Sequence, residues 1–193
     1  MLAKKEKFNV VFLNLDCIFS RDNIISSILQ SSSSKKSKKV AREMVIDKRV
    51  RLLSKLCDKT SSRVVIISSD REIAFNEYND FHTKGKENSI EYIILTEAFK
   101  DYGVYLYDVT PKACGDKLLN GVLSYLSYYS NNINNFVVLD DIRNDKDYSV
   151  LGDHLVNTCS EYYGKITNKW YYINRLKRSN ISTAYKKLNS KLK

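Results

Sequence analysis

A chain of 193 residues with 43% hydrophobic content can bury one substantial core, and its length favours a single domain. The net charge of +10 is large for this size and draws polyanions at long range, nucleic acid foremost. Apolar runs reach only strand length, and four scattered cysteines without a Cys-x-x-Cys pair, with only two histidines, argue against a membrane span, a zinc site and a disulfide framework. The N-terminus leads straight into a strand rather than a signal-peptide core, so an intracellular protein, cytoplasmic or nuclear, is expected, with no membrane partner.

The first strand covers about residues 8–15 and ends on Asn14 and Asp16, two residues apart and therefore on one face. A polar insertion follows, with Ser31 to Lys39 of low complexity and the look of a loop. Val40, Met44, Val50, Leu53, Leu56 and Cys57 recur at helical spacing and predict an amphipathic helix with Lys and Arg on its outer side. Arg63 to Ile67 reads as a second strand, followed at once by Ser68 and Ser69. About 89–102 reads as a helix and Gly103 to Tyr107 as a third strand, closed by a turn at Asp108 to Pro111. A helix is predicted from about Asp116 to Tyr129, a strand at Phe136 to Leu139, and a shorter one at His154 to Asn157. The last thirty residues read as one or two basic helices broken near Ser179 and Asn180.

Strands that are apolar throughout, interleaved with helices, predict a three-layer α/β sandwich around a mostly parallel sheet with little or no cap. The expected division is an α/β domain over 1–175 with its insertion near 31–39, then a basic C-terminal helix or tail over 176–193. In such folds ligands sit outside the carboxyl ends of the strands. Polar residues collect there: Asn14 and Asp16, then Ser68 and Ser69, then Asp140 and Asp141.

That series, in that order, resembles the haloacid dehalogenase-like (HAD) superfamily, and more narrowly the HAD domains associated with nucleic-acid repair proteins. The family pattern begins with a hydrophobic strand and Asp-x-Asp-Gly, continues with a strand ending in Ser-Ser, and later shows Asp-Asp. Gly103 to Pro111, His154 to Thr158 and Gly164 to Thr167 are similar to further family segments, and the resemblance runs from about Phe8 to Trp170. It implies Asp16 as general acid/base, Asn14 at the nucleophile position, Ser68 holding the transferred phosphoryl group, and Lys117, or Lys112, offsetting charge. Asp16, Asp140 and Asp141 would hold Mg²⁺, a hard cation suited to carboxylate oxygens. The chain departs from the pattern where Asn14 replaces the acid and Cys17 the glycine. A neutral amide has no charged oxygen with which to attack phosphorus.

The expectation is a catalytically degenerate phosphatase fold that acts as a binding or scaffolding module, with Mg²⁺ held weakly or not at all and a protein partner conceivable. One alternative is an active Mg²⁺-dependent phosphohydrolase acting on nucleic-acid ends or small phosphoesters. Another is a basic nucleic-acid-binding protein. Between Lys35 and Arg63 eleven Lys or Arg face three acids, and no acid follows Glu161. The candidate nucleic-acid contacts are Lys35, Lys36, Lys38, Lys39, Lys177, Arg178, Lys186 and Lys187. Read alone, Ser68 and Ser69 would be a loop or helix cap, Asp140 and Asp141 a strand-end turn, and His154 a packed residue.

Overall fold

The computed structural model describes residues 7–14, 17–18, 47–67, 99–104, 106–111, 118–140, 145–164 and 169–190. Along the chain run β1 (Phe8–Leu13), α1 (Asp47–Thr60), β2 (Ser62–Ile66), β3 (Leu106–Val109), α2 (Leu118–Tyr129), β4 (Ile133–Asp140), β5 (Leu155–Asn157), β6 (Cys159–Gly164), β7 (Lys169–Asn174) and α3 (Arg178–Asn189). The first five strands form one sheet in the order β3-β2-β1-β4-β5. Every pairing in it is parallel. β6 and β7 form a separate antiparallel hairpin.

Side chains alternate across the strands, so each strand feeds two cores. Val11, Leu13, Val64, Ile66, Val137 and Leu139 face one side and pack with Val50, Leu53, Leu56 and Cys57 of α1 and with Ala184 and Leu188 of α3. Val10, Phe12, Val65 and Val138 face the other, against Leu119, Val122 and Tyr125 of α2. Both faces are therefore covered, and the architecture is an α/β sandwich. Double coverage explains the uninterrupted apolar runs: a strand with one wet face would alternate.

Helix ends are tied to the sheet. Asn9 in β1 donates through Nδ2 to the Thr60 carbonyl at 2.8 Å, satisfying one orphan carbonyl of α1. Ser61 then turns the chain at φ +50° into β2. Asn135, buried in β4, donates through Nδ2 to the carbonyls of Lys187 at 2.8 Å, Leu188 at 3.2 Å and Ser190 at 3.0 Å. A single side chain thus caps the C-terminal end of α3 from within the sheet. Arg63 is sandwiched between the Phe8 and Tyr107 rings, its guanidinium carbon 3.9 and 4.4 Å from their centroids.

Two expected boundaries move. The third strand is Leu106–Val109 rather than 103–107. Gly103, at φ +69°, closes a helical turn instead, with its N–H on the Lys100 carbonyl and that of Val104 on the Phe99 carbonyl. A glycine at the left-handed position ends helices, which a reading of apolar residues alone misses. Asp108 consequently lies inside the strand, where its carboxylate accepts from the Val109 N–H and from the Tyr125 hydroxyl. The expected break near Ser179 and Asn180 is in fact the first turn of α3, where Asn180 Oδ1 accepts from the Lys177 N–H at 2.9 Å. Serine and asparagine break helix interiors but cap helix starts, and the second role applies here. The preceding residues that were expected to be helical form β7.

Candidate functional site

Sheet register decides which strand ends meet. β1 pairs with β4 as Leu13↔Leu139, so the next residues, Asn14 and Asp140, fall side by side across the ladder. The order 3-2-1-4-5 reverses chain direction of growth between β1 and β4, and ligands of open α/β sheets gather at such a switch point. The Asn14 N–H continues the ladder onto the Leu139 carbonyl at 3.0 Å. By parity Asn14 follows Val10 and Phe12, and Asp140 follows Val138, so both side chains extend the α2 face.

Asn14 is 4% exposed and Asp140 2%. Asn14 Nδ2 donates to Asp140 Oδ1 at 2.6 Å. A carboxylate this deep needs donors or a cation to offset its lost hydration. Here a neutral amide supplies one of those donors, and the hydrogen bond is charge-assisted.

No family model, curated protein or solved structure matches this chain.

Asn14 and Asp140 are the members of the expected set that lie among the described residues. Asp16, Ser68, Lys112, Lys117 and Asp141 lie outside them. Of the expected Mg²⁺ ligands Asp16, Asp140 and Asp141, only Asp140 is described, and one of its carboxylate oxygens accepts a hydrogen bond from the Asn14 amide. Among the described residues no group of three His, Cys, Asp or Glu side chains has metal-ligating geometry.

The Cys17 N–H donates to the Asn14 carbonyl at 3.0 Å. The Cys17 thiol points inward, 3.4 Å from the Leu139 carbonyl and 3.1 Å from the Thr158 hydroxyl. Thr158 in turn donates to the Asp140 carbonyl through its hydroxyl at 2.9 Å and its N–H at 2.8 Å. Cys17 therefore knits the ends of β1, β4 and β5 together. Its own carbonyl accepts from the Leu176 N–H at 3.0 Å and from an Arg49 guanidinium nitrogen at 3.3 Å.

The expected basic contacts separate. Lys35, Lys36, Lys38 and Lys39 lie outside the described residues. Lys177 and Arg178 sit at the N-terminal end of α3, whereas Lys186 and Lys187 occupy its last turn. Lys187 binds Asp153 through both the backbone carbonyl and the carboxylate. His154 is packed as expected, stacked on Phe136 with 4.0 Å between ring centroids and its Nδ1 2.8 Å from the Phe136 carbonyl. Among the described residues no helix is long and apolar enough to cross a membrane.

Sequence reasoning missed two groupings. Tyr125 is buried against Asp108, and burial first, then that carboxylate, pushes its hydroxyl far above the ordinary tyrosine range. Arg49 and Arg175 were visible only as two basic residues among many. Burial pushes Arg49 below its ordinary value, and the repulsion of Arg175 adds to that against the pull of Cys17. No one-dimensional pattern pairs residues 126 positions apart.

Proposed function

We propose that this protein is a HAD-like domain that has lost phosphoryl-transfer chemistry and serves as a binding module. The observation that carries the reading is the buried hydrogen bond from Asn14 Nδ2 to Asp140 Oδ1 at 2.6 Å. Phosphoryl transfer through an aspartyl intermediate needs a carboxylate oxygen at the end of β1, and an amide cannot provide one. The parallel sheet and the placement of both residues at its switch point support a strand-end site of the HAD type. The amide also does part of what a dication would do in such a site, since it places positive hydrogen-bond density against the Asp140 carboxylate. On this reading the chain keeps the scaffold and has exchanged a charged, metal-demanding pair for a self-satisfied one.

The test is Mg²⁺-dependent phosphate release from small phosphoesters and from 3′- and 5′-phosphorylated oligonucleotides, run on the wild type and on Asn14→Asp. Silence of the wild type supports the reading, and a gain of release in Asn14→Asp adds that the remaining catalytic groups are in place. Wild-type turnover that disappears in Asp16→Ala overturns it and makes the protein a Mg²⁺-dependent phosphohydrolase.

A further inference from the structure

Between the first turn of α1 and the N-terminal end of α3 lies a cleft of about 360 Å³, lined by Lys48, Arg49, Leu52, Arg175, Leu176, Lys177 and Arg178. Five of these seven residues are cations and none is an acid. They come from the two basic stretches of the sequence, which the packing of α3 beside α1 on one face of the sheet brings together. Arg49 is anchored from below, with its guanidinium on the Cys17 carbonyl. Lys177 is held from the side by the Ser160 hydroxyl. Among the described residues, Lys48, Arg175, Lys177 and Arg178 make no ion pair with a carboxylate.

The arrangement works against the stability of the helices. The N-terminal turn of a helix carries partial positive charge and favours acids there. Asp47 opens α1, yet Lys48 and Arg49 follow it at once, and the first turn of α3 contains no acid at all, with Lys177 at its cap and Arg178 as its first residue. Cations crowded on one another and on two positive helix ends repel, and a sequence selected for stability alone would not place them so. An anion in the cleft relieves every one of these repulsions.

We propose that this cleft binds a run of consecutive phosphates, as carried by a single-stranded nucleic-acid backbone or by a polyphosphate chain. One phosphate would leave most of Lys48, Arg175, Lys177 and Arg178 unmatched, so successive phosphates are the better complement. Among the described residues of the lining none is aromatic, so the recognition argued here falls on the phosphates and is independent of base sequence. The site stands apart from the Asn14–Asp140 pair, which faces the α2 side of the sheet, and does not depend on the reading proposed for that pair.

The experiment is binding of a fluorescein-labelled 20-residue oligo(dT) to the full chain by anisotropy across a salt series. Engagement of about five phosphates predicts a log–log salt slope near −3.5 and about a 100-fold loss of affinity between 50 and 200 mM salt. The triple reversal Lys48→Glu, Arg175→Glu, Arg178→Glu should weaken binding at least ten-fold and flatten that slope. A control reversal at exposed basic residues outside the cleft, Lys55→Glu, Lys59→Glu and Lys100→Glu, changes net charge by the same amount and should weaken it far less. Because Lys48→Glu and Arg178→Glu place acids at helix starts, the melting temperature of the cleft variant should hold or rise, which separates lost binding from lost folding. Competition by unlabelled oligo(dT), inorganic polyphosphate and ATP assigns the source: displacement by polyphosphate at equal phosphate concentration means that the phosphate chain suffices, and displacement by the oligonucleotide alone means a nucleic-acid strand. Equal losses in the cleft and control variants, or no wild-type binding of any of the three at 50 mM salt, overturn the proposal.

Discussion

Asn14→Asp replaces an amide that donates to Asp140 with a second acid at the same place, 2.6 Å from the first oxygen. Two outcomes compete. If both carboxylates stay charged, with charge centres about 4 Å apart at an effective dielectric near 20, repulsion costs about 4 kcal/mol, and the lost charge-assisted hydrogen bond adds about 2 kcal/mol. If instead the pair keeps one proton, the hydrogen bond is remade, and the cost is that of holding the proton at the working pH. With a reference value near 3.9 and 1.36 kcal/mol per pH unit, that is about 5 kcal/mol at pH 7.5 and about 1.5 kcal/mol at pH 5. The protonated pair is the cheaper state over this whole range, so the variant should lose about 4–5 kcal/mol at pH 7.5 and only about 1–2 kcal/mol at pH 5. The sign follows from proton binding: the folded variant holds a proton that the unfolded chain releases near pH 4, so stability falls as pH rises from that point until the folded pair also lets go. Urea unfolding of both proteins at pH 5 and 7.5 in EDTA measures the difference directly. A loss of about 4–5 kcal/mol is a large share of an ordinary domain's 5–15 kcal/mol. A variant within about 1 kcal/mol of wild type at both pH values would refute the packing of these two side chains.

Asn135→Ala removes the donor that serves three carbonyls at the end of α3, and a loss of about 1–3 kcal/mol is expected, with hydrogen exchange faster first in residues 184–190. Gly121→Ala gains up to about 1 kcal/mol of helix propensity, but its Cβ would stand 3.0 Å from Thr110 Oγ1 and 3.2 Å from the Pro111 carbonyl, which overpacking data put at about 1–3 kcal/mol. The clash outweighs the gain, so thermal denaturation should show a lower melting temperature, and a rise would refute the contact. The Cys57 thiol is pushed up to about 12 by burial and by Asp58, so it stays protonated throughout the ordinary range. Peptide mapping after iodoacetamide at pH 8 should find Cys57 unmodified in the folded protein and alkylated in urea.

Much of this protein is legible along its chain. Uninterrupted apolar strands separated by helical stripes imply a parallel sheet covered on both faces, because only double burial makes such runs stable, and β1, β2 and β4 lie close to where the pattern puts them. The polar residues after β1 and β4 are visible too, since polar side chains at the end of an apolar run are conspicuous. Gly103 and Asn180 were misassigned because the same residue types break one element and cap another, and only the neighbouring backbone tells which. What the tertiary structure decided is adjacency. The register Leu13↔Leu139 turns Asn14 and Asp140 into a hydrogen-bonded pair, and the packing of α3 beside α1 turns scattered basic residues into a five-cation cleft. Local sequence fixes backbone preferences over a few residues, whereas contacts between residues more than a hundred positions apart depend on how the sheet closes and which helix faces which core.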